Sequence, residues 1–202
     1  MFAIIQASGW PIWPLLLISV IAVALIIERF MALRRARVSP QGLLENVIAD
    51  LRQKGVNPTM IASVEANSPL GRVLAAGLRS VNSSREAMKE SIEETGRAVA
   101  HYLERNLTTL GTIAAISPLL GLFGTIVGMI EIFASQGTSG GNPRQLAQGI
   151  SIALNTTGLG LIIAIPATIC WRHFRALVDS FVIDMEQQAI KLVDVVHGDR
   201  RM

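Results

Sequence analysis

Three long stretches of this sequence lack charge altogether. Residues 1–27, 106–130 and 145–171 contain no Asp, Glu, Lys or Arg, and the 202-residue chain is 50% hydrophobic and only 16% charged. Each stretch exceeds the roughly 20 apolar residues that a helix needs to cross a bilayer core. A large soluble protein that buries all three is excluded, because too few residues remain outside them to cover them. The sequence therefore predicts three transmembrane helices, in agreement with a mean hydropathy of +0.46.

Cysteine, histidine and catalytic patterns are also scarce. Cys170 is the only cysteine, so no intramolecular disulfide can form, and we expect it to be a buried thiol. The three histidines, His101, His173 and His197, fall outside the uncharged stretches, where surface or interfacial positions are expected. The glycine-rich segments are followed by neither the lysine of a phosphate loop nor an acidic ribose partner. With no nucleophile–base pair and no metal-spaced cluster, the sequence predicts no enzyme activity, no cofactor and no metal site.

Basic residues are distributed unevenly around the uncharged stretches. None precedes Glu28, twelve lie from Arg29 to Arg105, one is Arg144 and five follow the third stretch. The positive-inside rule then places the N-terminus in the periplasm and the C-terminus in the cytoplasm. A cleaved signal peptide is disfavoured, because the positive charges follow the first stretch and the small-residue cleavage pattern is missing. The pI of about 9.6 thus reflects the basic residues that set the membrane topology. No nucleic-acid partner is predicted.

These features predict an all-α membrane protein with three transmembrane helices, of which the second and third extend as long helices into the cytoplasm. The predicted segments are a short periplasmic N-terminus (1–11), the first transmembrane helix (12–33), a cytoplasmic helical region (34–105), the second transmembrane helix (106–134), a periplasmic loop (135–146), the third transmembrane helix (147–172), and a cytoplasmic C-terminal helix and tail (173–202).

The two predicted extensions have recognisable helical patterns. Ser83 and Glu86 have the spacing of a capping box, Glu93 and Arg97 form an i,i+4 pair, and no proline follows until Pro118. This predicts a helix that runs straight into the second span. After the third span, apolar residues recur at spacings of three, four or seven: Phe174, Val178, Phe181, Met185, Leu192 and Val196. Such an amphipathic helix requires a partner, which is the 83–105 helix of the same chain, another subunit, or both.

The second span contains residues that are poor helix formers in water. Pro118, Gly121, Thr125 and Gly128 share one helical face, and Gly124 and Gly128 have small-xxx-small spacing. In lipid this spacing allows helix backbones to approach closely. Two interpretations stay open from spacing alone: a plain packing face, or a face that lines an interior pathway.

The third span adds polar groups, which favour the pathway. The segment "GISIALNTTGLGLIIAIPA" places Ser151, Asn155, Thr156 and Thr157 in an apolar helix, and such groups require partners or water. Together with Thr125, Gly121 and Pro118 they predict a polar seam between the two helices. The residues assigned to helix packing are Gly124, Gly128, Gly158, Gly160 and Pro166. Since no ionisable residue lies in the middle of any span, a protein that conducts protons through this seam must receive its titrating group from another subunit.

The segments "GLFGTIVGMIEIF" and "LAQGISIALNTTGLGLIIAIPA", with "SPLGRVLAAGL" at 68–78, resemble the proton-channel family of ExbB, TolQ and MotA, most closely its ExbB/TolQ branch. The resemblance implies a motor stator of the bacterial inner membrane. It further implies a homopentamer whose pore, lined by the second and third spans, holds a single-span ExbD-like partner with a membrane aspartate. Thr125 and Thr157 match the family's pore threonines, whereas Ile152 stands where many members have a glutamate.

The resemblance therefore implies a channel and stator subunit that couples the proton-motive force to TonB-dependent transport across the outer membrane. Within the same family, a TolQ-like role in envelope maintenance is the alternative; a MotA-like stator fits less well, because those proteins usually have four spans. A non-conducting membrane scaffold, in which the threonines only pack helices, is the alternative from another class.

Overall fold

A computed structural model describes residues 10–139 and 143–198, and within them every regular element is a helix. The helices are α1 (Ile12–Ala32), α2 (Arg35–Val38), α3 (Leu43–Lys54), α4 (Pro58–Asn67), α5 (Pro69–Arg79), α6 (Arg85–Glu104), α7 (Leu107–Ser139) and α8 (Pro143–Val196). Three helical segments are long and apolar enough to cross a membrane: Ile12–Ala32, Arg85–Ala134 and Leu146–Val196. The predicted all-α fold with three spans, two of them in long helices, is thereby confirmed.

The predicted segment boundaries meet the helices only in part. Helix α7 continues to Ser139 and α8 begins at Pro143, so both helices enter the segment predicted as a loop. Three predicted pieces lie wholly or partly outside the described residues, namely the N-terminus up to residue 9, the loop at 140–142 and the tail from residue 199. The side of the membrane on which each segment lies stays a prediction.

The helix that was expected to run without interruption into the second span has a short break. Helix α6 ends at Glu104 and α7 begins at Leu107. The backbone of Arg105 remains in the right-handed helical region, with φ −43° and ψ −49°. A helical conformation at Arg105 needs neither proline nor glycine, so nothing in the sequence marks the break.

The predicted N-terminal cap of that helix is wrong by one residue. The capping side chain is Ser84, whose hydroxyl accepts a hydrogen bond from the Ala87 backbone N–H at 3.2 Å, and α6 begins at Arg85. Ser83 instead belongs to the preceding turn, where its N–H bonds to the Ser80 carbonyl. Adjacent serines both satisfy the preference for a hydroxyl at the cap, so the sequence alone did not separate them.

Two compact units divide the described residues. The apolar unit contains residues 10–28 and 106–173, and the polar unit contains residues 29–105 and 174–198. In the apolar unit, α1 contributes Leu15 and Ala22 to a core shared with Ile113 of α7 and Ile163 of α8. The partly buried residues packed against this core are Ile18, Leu25, Leu120 and Leu159.

The polar unit is built around the extension of α8. Of the predicted apolar stripe, all residues up to Leu192 are buried and Val196 is half-buried. Leu192 lies beside Gly77 of α5 together with Met88 and Ile92 of α6. Arg85 of α6 also pairs with Asp194 of α8 at 2.9 Å, and the predicted Glu93–Arg97 pair is present at 2.9 Å. Packing of the stripe on the 83–105 helix of the same chain is therefore confirmed.

Candidate functional site

Helices α7 and α8 of the apolar unit are antiparallel and approach each other through glycines. A methyl group on Gly121 would lie 2.9 Å from the Thr156 carbonyl oxygen, and one on Gly128 would lie 3.0 Å from the Gly149 carbonyl oxygen. From the α8 side, a methyl group on Gly160 would lie 2.7 Å from the Ser117 carbonyl oxygen. Real Cβ atoms essentially never approach as closely as at Gly121 and Gly160, so these two positions require glycine, and the contact at Gly128 is tight. This is the close backbone approach that small-xxx-small spacing permits in lipid.

Thr156 fills the space opposite Gly124. Its side chain is fully buried, and a methyl group on Gly124 would lie 2.6 Å from the Thr156 Cβ. The hydroxyl donates to the Ile152 carbonyl of its own helix at 2.9 Å. Thr156 and Gly121, which were predicted for the pathway, thus lie in the α7–α8 contact, together with Gly128, which was predicted for helix packing.

Thr125 and Thr157 are brought together at the edge of this contact. The Thr157 hydroxyl donates to the Gly121 carbonyl of α7 at 3.3 Å. In an α-helix that carbonyl also accepts the backbone N–H four residues later, which is the N–H of Thr125. The Thr125 hydroxyl donates to the Leu122 carbonyl at 2.7 Å. Both side chains are half-buried, so each hydroxyl sits at the boundary between the helix contact and the outside of the chain.

The two threonines lie on the side of the helix pair that faces away from α1. Helix α1 packs against Leu120 of α7 and Leu159 of α8. Each residue of an α-helix turns the side-chain direction by about 100°. Thr125 follows Leu120 by five residues and Thr157 precedes Leu159 by two, so each threonine points well away from the α1 side. Half-buried Pro118, seven residues before Thr125, shares its face.

Ser151 and Asn155 do not join Thr125 and Thr157. The Asn155 amide donates to the Ser151 hydroxyl at 3.3 Å, which confirms that the two share a face. Asn155 and Thr157 are two residues apart, so their side chains point in nearly opposite directions. The single polar seam predicted from the sequence is thus divided into a threonine pair beside α7 and a Ser–Asn pair elsewhere on α8.

Two of the five predicted packing residues are not buried in the described part of the chain. A methyl group on Gly158 would meet nothing within 4 Å, and Pro166 is exposed. Conversely, the sequence interpretation missed Gly149, where a methyl group would lie 2.6 Å from the Ile132 Cδ1. The spacing of Gly149, Thr156 and Gly160 at seven and four residues would have identified this face.

Charge is confined to the ends of the apolar unit. Glu28 accepts a hydrogen bond from the Asn106 amide at 3.1 Å, next to the point where the uncharged stretch of α7 begins. Glu131 and Gln148 are exposed near the other end of the helix pair. Ile152, where the resemblance implies a glutamate in many family members, is only 6% exposed and lies near Gly128.

Comparison with known proteins gives consistent matches over most of the chain. The profile of the MotA/TolQ/ExbB proton channel family matches residues 65–187. The ExbB-like protein 3 of Synechocystis sp. is 33% identical over 188 residues, covering 90% of this chain and 89% of that protein. The biopolymer transport protein ExbB1 of Vibrio cholerae is 31% identical over 169 residues, covering 80% and 73%. The biopolymer transport protein ExbB of Aquifex aeolicus is 32% identical over 127 residues, covering 62% and 80%.

Proposed function

Because the chain belongs to the MotA/TolQ/ExbB proton channel family, we propose that it is the ExbB-like channel and stator subunit of a proton-driven motor in the bacterial inner membrane. In this role it forms a homo-oligomer, a pentamer by resemblance to the family, and converts the proton-motive force into movement. Each elementary charge that crosses the membrane releases about 2.3 kcal/mol per 100 mV, so a few protons supply the energy of a mechanical step.

The observation that carries this proposal is the position of Thr125 and Thr157. They lie together beside the α7–α8 contact, half-buried, and on the side away from α1. A wall built from α7 and α8, with α1 outside it, presents this pair to a central pathway. Pro118 belongs to the same wall, whereas Thr156, Gly121 and Gly128 belong to the packing behind it.

The Ser151–Asn155 pair has a different role in the proposed assembly. It faces away from the contact with α7, and within the described residues the Asn155 amide is bonded only to Ser151. An amide in the membrane has further hydrogen-bonding capacity that a neighbouring helix can satisfy. In the oligomer we assign this pair to a contact with an adjacent helix, either of another copy or of the partner protein.

The proposed partner is an ExbD-like single-span protein that supplies a membrane aspartate. The uncharged stretches of this chain contain no carboxylate or histidine, and hydroxyls order water and stabilise a passing proton without titrating usefully. The movement is then delivered to a TonB-like protein that acts on the outer membrane. In this arrangement the segment 34–105 and the C-terminus are cytoplasmic, and the N-terminus and the 135–146 loop are periplasmic.

Proton flux through reconstituted vesicles tests the threonine pathway. The chain and a single-span partner with a mid-membrane aspartate are reconstituted, and uptake is followed with an enclosed pH-sensitive dye under an imposed potential. Thr125→Val and Thr157→Val each remove one hydroxyl without changing volume. A hydrogen bond contributes about 1 kcal/mol, so each change is expected to reduce the flux by about fivefold.

Thr112→Val is the matched control, because the Thr112 hydroxyl also bonds within its own helix, to the Thr108 carbonyl at 2.9 Å, but points to a different face of α7. Its flux is expected to equal that of the wild type. Unchanged flux in the Thr125 and Thr157 variants would contradict the pathway and favour the non-conducting scaffold. If flux is restored only when the partner is a TolR-like protein, the chain has the TolQ-like role in envelope maintenance instead.

A further inference from the structure

Tyr102 of α6 is flanked by two arginines in the polar unit. The Arg72 Cζ of α5 lies 5.4 Å from the Tyr102 ring centroid, and the Arg105 Cζ lies 5.8 Å from it. Both distances are within the range of a cation–π interaction. The ring is 49% exposed and both arginines are exposed, so the cluster presents two oriented positive charges and half of an aromatic face at the surface.

The packing of α5 on α6 fixes this arrangement. Near the middle of the pair, the Ser91 hydroxyl of α6 donates to the Ala76 carbonyl of α5 at 3.4 Å. Gly77 lies so close to Met88 that a methyl group there would be 3.1 Å from the Met88 Cε. These contacts hold the backbones of α5 and α6 together, and the Arg72 side chain extends from α5 to the face of the Tyr102 ring.

No described carboxylate neutralises the positive charge of the cluster. In the described ranges, 10–139 and 143–198, neither Arg72 nor Arg105 has a carboxylate within ion-pair distance. Glu104, the neighbour of Arg105, pairs instead with Arg175 at 3.7 Å. Arg97 of α6 is also exposed but pairs with Glu93. The two arginines of the cluster are thus available to an external anion.

The position along the chain indicates where the counter-ion comes from. Arg105 is the last charged residue before the uncharged stretch 106–130. Tyrosine and arginine at the end of a transmembrane helix sit at the level of the lipid headgroups. Arginine binds phosphate oxygens in a bidentate manner. We propose that Arg72, Tyr102 and Arg105 form a binding site for the phosphate of an anionic glycerophospholipid.

Lipid retention measured by native mass spectrometry tests this site. The purified full-length chain in detergent is titrated with phosphatidylglycerol, and the apparent Kd of the tightest bound lipid is compared with that for phosphatidylcholine. Arg72→Gln with Arg105→Gln is expected to raise the Kd for phosphatidylglycerol by about tenfold or more, since each basic side chain near an anionic surface contributes about 1 kcal/mol. Arg97→Gln, the matched control, is expected to leave it unchanged.

Three results would overturn the proposal: an equal Kd in the double variant and the wild type, equal affinity for phosphatidylcholine, or displacement of the lipid by glycerol 3-phosphate at similar concentration. The last would assign the site to a soluble phosphate. Tyr102→Leu provides a second route if the double variant does not fold, because it retains both charges and removes only the ring. It is expected to weaken lipid binding, whereas Tyr102→Phe, which keeps the aromatic face, retains it.

Discussion

Ile152 is the residue at which the resemblance to the family implies a departure, because many members are expected to carry a glutamate there. Here the side chain is 6% exposed and its Cγ2 lies 3.5 Å from where a Gly128 methyl group would be. The apolar side chain thus fills the contact between α7 and α8, and the subunit contributes no carboxylate of its own at this level of the membrane.

Replacing Ile152 with glutamate is therefore expected to destabilise the chain. An ionised carboxylate in the middle of a transmembrane helix costs about 3 kcal/mol, and the contact leaves no room for water. Ile152→Val, the matched control, removes one buried methyl group and costs about 1 kcal/mol. Thermal unfolding in detergent measures both. A glutamate variant as stable as the valine variant would show that the side chain turns into a water-filled pathway.

At the scale of single elements, the start of α6 depends on one serine. The Ser84 hydroxyl accepts the Ala87 N–H, and loss of a helix N-cap costs about 1 kcal/mol. Ser84→Ala is expected to reduce the free energy of unfolding by that amount, and Ser83→Ala to leave it nearly unchanged. Chemical denaturation followed by circular dichroism measures the difference. If Ser83→Ala instead lowers the free energy of unfolding more than Ser84→Ala, Ser83 is the N-cap, as the sequence predicted.

The features that could be predicted from the sequence are those that depend only on the spacing of residues along one helix. The apolar stripe from Phe174 to Leu192 and the Glu93–Arg97 pair follow from spacing on one helix, and both are present. The division of the polar seam was not predictable in this way. Which of Asn155, Thr156 and Thr157 meets α7 depends on the rotation of α8 about its axis, and that rotation is set by contacts between helices, such as Gly124 with Thr156.

At the scale of the whole molecule, the distribution of charge makes the chain a poor proton conductor by itself. Its uncharged stretches offer hydroxyls and amides but no carboxylate, histidine or basic side chain. Vesicles containing only this chain are expected to leak protons hardly faster than empty vesicles, and addition of a partner with a mid-membrane aspartate is expected to raise the flux. Rapid flux without any partner would contradict the argument that the titrating group comes from elsewhere.

The glycine contact between α7 and α8 also has a mechanical consequence. Where backbone meets backbone, as at Gly121 and Gly160, there are no rotamers to change and no soft side chains to compress. Sliding or rolling of one helix on the other would bring carbonyl oxygens into collision within a fraction of an ångström. The two helices are therefore expected to move together as a rigid unit. In the proposed motor, strain is then accommodated where side chains, rather than backbones, contact the next helix.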